Sequence, residues 1–330
     1  MAYGAYALNK IQLGREATPG TAVSATTIWR GEAVDIEDAR EMAWPGEEEN
    51  VGLLVPTARA YVAQLGAQLA FPETELTYEQ ILHILEAGIA TVTPSGLGPY
   101  TYTYEWPTTA TVNTIKTYTI ETGNALAGDV NEMAYSFVEE FQLSGQYGEA
   151  WKMSATWRGR QAVASTFTAG LAVPAVEEAL FGNTRLYLDN SGGTVGTTQI
   201  TGVLTQADIS VTTGIVPVPV GDGSLYFAAH KFVRPEVTVS LTLELENNTG
   251  VVAAERANYR NRAIRLLRLE CPGTGGRTFR FDAAVMWESV DTYSEEDGDT
   301  VVTFNGKVLY SPTDALFGRF VVTNNLASVP

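Results

Sequence analysis

The sequence predicts a mainly β protein with one flanking helix per half. This is an α+β arrangement of two tandem β-sandwich or half-barrel domains whose strands close into a wide barrel on oligomerisation. Three observations predict it. Charged residues make up only 18% of the 330 and hydrophobic residues 45%, against about a quarter charged in ordinary domains. In residues 236–246, EVTVSLTLELE, Val237, Val239, Leu241, Leu243 and Leu245 alternate with Thr238, Ser240, Thr242, Glu244 and Glu246. That period of two describes a strand with one buried and one wet face. Finally, the order of predicted elements runs through the chain twice, as duplicated architectures do.

The first element of each copy is a short strand, a Gly/Thr-rich turn and a second strand. NKIQLGREATPGTAVSATTIWRGEAVDIEDA (9–39) lies beside TRLYLDNSGGTVGTTQITGVLTQADISVTT (184–213), with Asp35-Ile36 matching Asp208-Ile209. Irregular, Pro-containing excursions follow at 41–56 and 214–235. Long strands come next, at 58–71 and 236–246. The helix expected over 77–88 has Thr77 and Gln80 in capping-box positions and an apolar face of Ile81, Leu82, Ile84 and Leu85. Its counterpart over 251–265 is polar on most of its surface. Strands at 116–122 and 265–271 precede the closing hairpins, 136–145 with 150–159 and 279–289 with 300–310. The domains are therefore placed at 1–168 and 183–330, joined by a linker at 169–182. An insertion at 90–113 occurs in the first half alone.

Composition limits the partners. With 38 acidic and 21 basic residues the net charge is −17, a field that repels nucleic acid and anionic membranes. Cys271 is the one cysteine, so no intramolecular disulfide forms, in keeping with assembly in a reducing cytoplasm. MAYGAYALNK lacks the pattern of a secretory signal. No apolar run approaches the roughly 18 residues of a membrane span, so a soluble chain without a membrane partner is expected.

Catalytic chemistry finds little support, and no enzyme activity or cofactor is expected. His83 and His230 lie in different halves, and His83 sits among apolar residues as a packing or rim histidine would. Neither a zinc site nor a Ser-His-Asp relay finds its spacing. PGTGGRTF (272–279) has Cys271 and Arg277 where a phosphate loop needs Gly and Lys, and reads as a turn. SEEDGDT (294–300) carries the hairpin dipeptide Asp297-Gly298, and GEEEN (46–50) reads as a solvated loop. Trp151, Trp157 and Trp287 fall on the apolar sides of their strands. A carbohydrate-binding or glycan-cleaving β-protein of a virion is the alternative from another class; it requires an exposed aromatic platform and a carboxylate pair in a cleft. Arg256, Arg260, Arg262, Arg265 and Arg268 form the one basic concentration. Pairing with acidic loops of a neighbouring copy explains them better than nucleic acid does.

Long strands must close or hide their edges. About four per half are too few for either half to close alone, so several copies must associate. In a wide barrel Thr238, Ser240, Thr242 and Glu244 then face a wet lumen, with Gln64 and Gln68 as first-half equivalents. Lys152 and Lys307 share that face and are expected to pair with Glu140 or Asp282.

The β-order with a flanking helix, the long loop before the main strand, and LGREATPGTAVSATTIWRG together resemble the tail tube proteins of long, non-contractile-tailed bacteriophages. The duplication is similar to the variant with two fused tube domains. A contractile-tail or secretion-system tube subunit shares the same sheet physics. The resemblance implies trimeric rings of pseudo-sixfold symmetry, stacked into a channel that holds the tape-measure protein and then conducts DNA without specific binding. Further implied partners are tail terminator and tail-tip proteins. The resemblance also implies assembly in the host cytoplasm and a final location in the virion tail. Segments 1–10, 41–58, 214–235 and 320–330 are then expected to join rings, with Trp44, Glu47, Glu48, Glu49, Arg256 and Arg260 as inter-ring contacts. The two long loops are expected to stay mobile until a neighbouring ring docks.

Overall fold

The computed structural model describes residues 4–246, 250–296 and 298–330. In chain order the first half contains β1 (Asn9–Arg15), β2 (Thr27–Ile28), β3 (Glu37–Asp38), β4 (Glu41–Ala43), β5 (Tyr61–Gln64) and β6 (Ala67–Glu75). Helix α1 (Ile81–Gly88) follows, then β7 (Tyr100–Glu105), β8 (Tyr118–Asn124), β9 (Asp129–Gln146), β10 (Lys152–Gly159) and β11 (Ala162–Ala164). The second half opens with β12 (Arg185–Asn190), β13 (Gln199–Ile200), β14 (Leu204–Thr212), β15 (Ile215–Val218), β16 (Ala229–Phe232) and β17 (Glu236–Glu244). After α2 (Val251–Arg260) come β18 (Arg265–Pro272), β19 (Thr278–Val290), β20 (Ser294–Glu296), β21 (Asp299–Val308) and β22 (Gly318–Asn324).

The alternating strands pair into one antiparallel inner sheet that crosses both halves. Its order is β3, β6, β10, β9, β14, β17, β21, β19, eight strands in all. The halves join where β9 pairs with β14, Glu140 opposite Thr212 and Gln146 opposite Gln206. Among the described residues this sheet does not close on itself, and β3 and the C-terminal part of β19 are its outer strands.

The pairing order recurs. In the first half β3, β6, β10 and β9 run side by side, and β9 continues into a second layer with β8, β1 and β2. In the second half β14, β17, β21 and β19 do the same, and β19 continues with β18, β12 and β13. Even the irregularities correspond. A bulge between Thr156 and Trp157 leaves Glu139 unpaired, and one between Trp287 and Ser289 leaves Glu288 unpaired. Each extra acid then meets the cation of the neighbouring strand, Glu139 with Arg158 at 3.1 Å and Glu288 with Lys307 at 3.8 Å.

One hydrophobic core fills the space between the layers of both halves. Phe320 stacks within 4.6 Å of Phe281 and 5.7 Å of Phe141, while Trp151 reaches Phe279 across 5.9 Å. The segment between the halves is built into this core. Ala179 exchanges backbone hydrogen bonds with Leu76 and Trp151, and Phe181 is buried. The insertion at 90–113 contributes strand β7, which pairs with β22 of the other half and buries Tyr102 and Tyr104.

Helix α1 is buried on every side. Thr77 Oγ1 accepts from the Gln80 N–H (3.2 Å), while the Gln80 amide turns away to Ile28 O, so half of the expected capping box forms. Glu86 on this helix is fully buried. It is held by Arg15 at 2.5 Å and by the Tyr118 hydroxyl at 3.0 Å. Because that hydroxyl donates to Glu86, His83 Nδ1, 3.1 Å from it, must carry the donated proton. Burial, aided by the Arg15 charge, lowers His83 from 6.5 to about 3. The unfolded chain takes up this proton near the ordinary value and the folded chain does so only far below it. Stability therefore falls as pH drops below about 6.5, by roughly 1.4 kcal/mol per pH unit from this group. A urea-unfolding series across acidic pH checks it: His83→Leu is expected to flatten the slope there.

Four sequence expectations are corrected. The strand placed at 58–71 is two, β5 and β6, because the backbone breaks at Leu65–Gly66, where Gly66 O accepts from Ala39 N–H at 3.0 Å and Leu65 N–H donates to Leu225 O at 2.9 Å. The helix placed at 251–265 ends at Arg260, and Arg265 is buried on β18 in an ion pair with Glu255 at 2.9 Å. β17 ends at Glu244, so Leu245 is 37% exposed rather than buried. The loop 214–235 is not free but folded on the first half, as described below. The Thr274–Gly276 turn takes the place of a phosphate loop as expected. Of the hairpin dipeptide, Asp297 lies outside the described residues, though β20 and β21 pair on either side of it.

Candidate functional site

Alternation gives the inner sheet two unlike faces. Toward the core point Leu69, Phe71, Trp157, Leu143, Ile209, Val239, Leu241 and Phe304, all buried. The opposite face carries rows of short polar side chains that run across the strands. One row is Lys152, Ser144, Asp208, Ser240 and Asn305; the next is Ser154, Gln142, Ser210, Thr238 and Lys307. Of these, Lys152, Ser144, Asp208, Ser154, Gln142 and Ser210 line a shallow concavity of about 750 Å³ over β6, β10, β9 and β14.

Electrostatically the face is acidic, and its cations are engaged. Lys152 lies 2.6 Å from Glu149, Arg158 3.1 Å from Glu139, and Lys307 3.2 Å from Glu236. Glu149 keeps the Lys152 ammonium above its usual range, as Glu236 does for Lys307. Burial raises the Asp208 carboxyl against the Gln206 hydrogen bond. The expected partners of the lysines are corrected: Glu140 accepts from Thr156 Oγ1 instead, and Asp282 is buried among Arg268, Arg280 and Arg319.

Gln68, Thr238, Ser240, Thr242, Glu244, Lys152 and Lys307 thus lie on one sheet, with Thr242 closed off by its 3.0 Å hydrogen bond to Thr303. Gln64 does not join them. It sits on β5 opposite Glu41, outside the inner sheet, because of the break at Gly66. Sequence reasoning missed Gln142, Ser144, Gln206, Asp208 and Ser210 on β9 and β14, although the same alternation marks them.

Two arms rise from corresponding strands. The first is β4 and β5 with the loop between them; the second is β15 and β16. Gly214, at φ +77, turns β14 into the second arm where a side chain would strike Val233 O. This arm is docked: Ile215, Phe227 and Phe232 pack on Ile115, Tyr135 and Phe137. Arg160 donates to the Phe227 and Ala228 carbonyls (3.1 and 2.8 Å) and lies over the Tyr135 ring. His230, hydrogen-bonded to Tyr135 and lowered by burial, sits in the same cluster.

The first arm is exposed. Met42 is 42% exposed where its counterpart Ile215 is 2%, and Trp44, Leu53, Leu54, Val55 and Tyr61 also face solvent. Trp44 and Glu47, Glu48 and Glu49 belong to this arm, and Glu49 is tied to Arg59 and Thr57. Arg256 and Arg260 lie on α2, in the other half. Arg256 stacks on Tyr293 and donates to its hydroxyl at 2.7 Å, and Arg260 is exposed. The arrangement offers a hydroxyl- and carboxylate-lined wall, two open sheet edges and one unburied apolar arm. No protein-family model matches the chain, and no curated protein matches it.

Proposed function

We propose that the chain is a structural subunit of a tube of the kind found in long, non-contractile phage tails, made of two tandem tube domains, and not an enzyme. One observation carries this reading: the inner sheet carries rows of polar side chains across one face and is open at two edges that correspond to an edge pair already joined within the chain. By the matched pairing order β14 corresponds to β3, and β9 to β19. The contact of β14 with β9 is thus a template for β3 of one copy on β19 of the next.

Strand number supports closure by several copies. A barrel of about eight strands is filled by its own side chains, whereas one of roughly 16–18 leaves a water-filled channel. Eight strands per chain cannot enclose the wet face of this sheet, and three copies supply a wide channel. A wall with paired cations and many hydroxyls lets a polyanion slide, since unneutralised phosphates gain nothing from it. Tape-measure protein, DNA in transit, and terminator and tip proteins are the partners this reading implies, with assembly in the host cytoplasm and residence in the virion tail. An aromatic glycan platform has less to stand on, because of the six tryptophans all but Trp44 are buried.

The template register places Glu37 opposite Asp291 across the new edge, beside Tyr293 and Arg256. Like charges there, added to −17 per chain, oppose association until screened. Higher salt is therefore expected to promote assembly in sedimentation. Cysteines at Glu37 and Asp291 are expected to give a covalent ladder ending at three chains on oxidation. Monomer alone under both conditions would sink the closure.

A further inference from the structure

The second arm shows how an arm is received, and among the described residues the first arm has no receiver in its own chain. Resting on the ring-closure reading above, we propose that the first arm of one copy lies in a groove of the adjacent copy, between the insertion and the second half. This groove, about 850 Å³ in volume, runs between residues 106–113, 232–237 and 307–310.

The correspondence of the halves locates the receiver. In the first half the second arm is held by Leu65 N–H, which donates to Leu225 O, and by Arg160, which donates to two arm carbonyls. Register matches Leu65 with Pro235 and Arg160 with Leu309. Both Pro235 and Leu309 line the groove. Phe137, buried under the second arm, matches Met286, which is half-buried, and beside it Leu309 and Tyr310 are 40% and 45% exposed.

The chemistry has changed in step on both sides. Where the first-half receiver offers an amide N–H and a guanidinium, the matched positions of the groove are a proline, which has no N–H, and a leucine, whose N–H is already bound to Ala284 O. The arm that would fill it is correspondingly apolar at its tip: Val51, Leu53, Leu54 and Val55 are 56%, 62%, 106% and 67% exposed. Arg234 at the groove faces an arm that also carries Glu47 and Glu48. Within one chain the reach is wrong. The first arm rises from β3 and β6, while the groove lies over β17 and β21, four strand spacings or roughly 19 Å from β6. Across a β19–β3 junction the arm needs to pass only one or two strands, as the second arm does onto β9 and β10.

The test uses full-length chains. L53D/L54D carries a damaged arm and Y310D a damaged groove, and both changes sit at exposed positions, so melting profiles like that of the parent are expected. Each alone is expected to lose at least tenfold in association by sedimentation, and their mixture to recover a heterodimer, because each supplies the part the other lacks. The cysteine pair L54C/L309C is expected to cross-link between chains. Parent-like association of L53D/L54D with absent cross-linking would overturn the arm proposal while leaving ring closure standing. Failure of the parent chain to associate under any salt would overturn both.

Discussion

Replacing Phe320 by alanine is expected to destabilise the whole chain by about 3–5 kcal/mol and to move one unfolding transition. Phe320 is fully buried at the meeting of the two halves: Phe281 and Phe279 belong to the second, Phe141 to the first, and Trp106 to the insertion. The cavity would open among residues that cannot collapse independently, because the strands that carry them are paired into one sheet. Tryptophan fluorescence and circular dichroism in a denaturant series should therefore shift together. Two separated transitions, only one of them displaced, would show that the halves fold as separate units and that the shared core matters less than its packing suggests.

Asp282→Ala is expected to be of similar size, about 3–5 kcal/mol. Asp282 is fully buried on β19, between Arg268 on β18 and Arg319 on β22, with contacts of 2.6 and 2.9 Å, and Arg280 stands 3.6 Å away. Burial already lowers the Arg280 guanidinium, and the charges of Arg268 and Arg319 add to that. Removing the carboxylate leaves three cations in mutual repulsion with no partner at their centre. Asp282→Asn keeps the shape and one acceptor oxygen but turns the other into an NH2 donor, so it should fall between parent and alanine. Equal melting temperatures for all three proteins would contradict the assignment of the cluster.

Much of this architecture could be read from local pattern. Alternation in 236–244 and in 152–159 depends on burial of one strand face, which is a property of neighbouring residues, and both strands are found. The Asp-Ile match at 35–36 and 208–209 marked segments that the pairing then places at corresponding positions, just before β3 and within β14. What pattern could not give was long-range choice. Nothing near Lys152 indicates that Glu149, not Glu140, will hold it. Gln64 continues the alternation of its strand, yet Gly66 lets the backbone turn it into an arm. Arg265 looks like one more solvated helix arginine until Glu255, Asn190 and the Leu188 carbonyl are seen to accept from it. β7 illustrates the same limit, since an inserted segment carries no local sign of the strand it will join in the other half.

Electron microscopy of the negatively stained parent protein, at rising concentration and high salt, tests the central claim most directly. The account predicts three-subunit rings and hollow stacked tubes with a stain-filled lumen. Solid particles, or open ribbons joined through another surface, would contradict it and return the polar sheet face to the outside of the molecule.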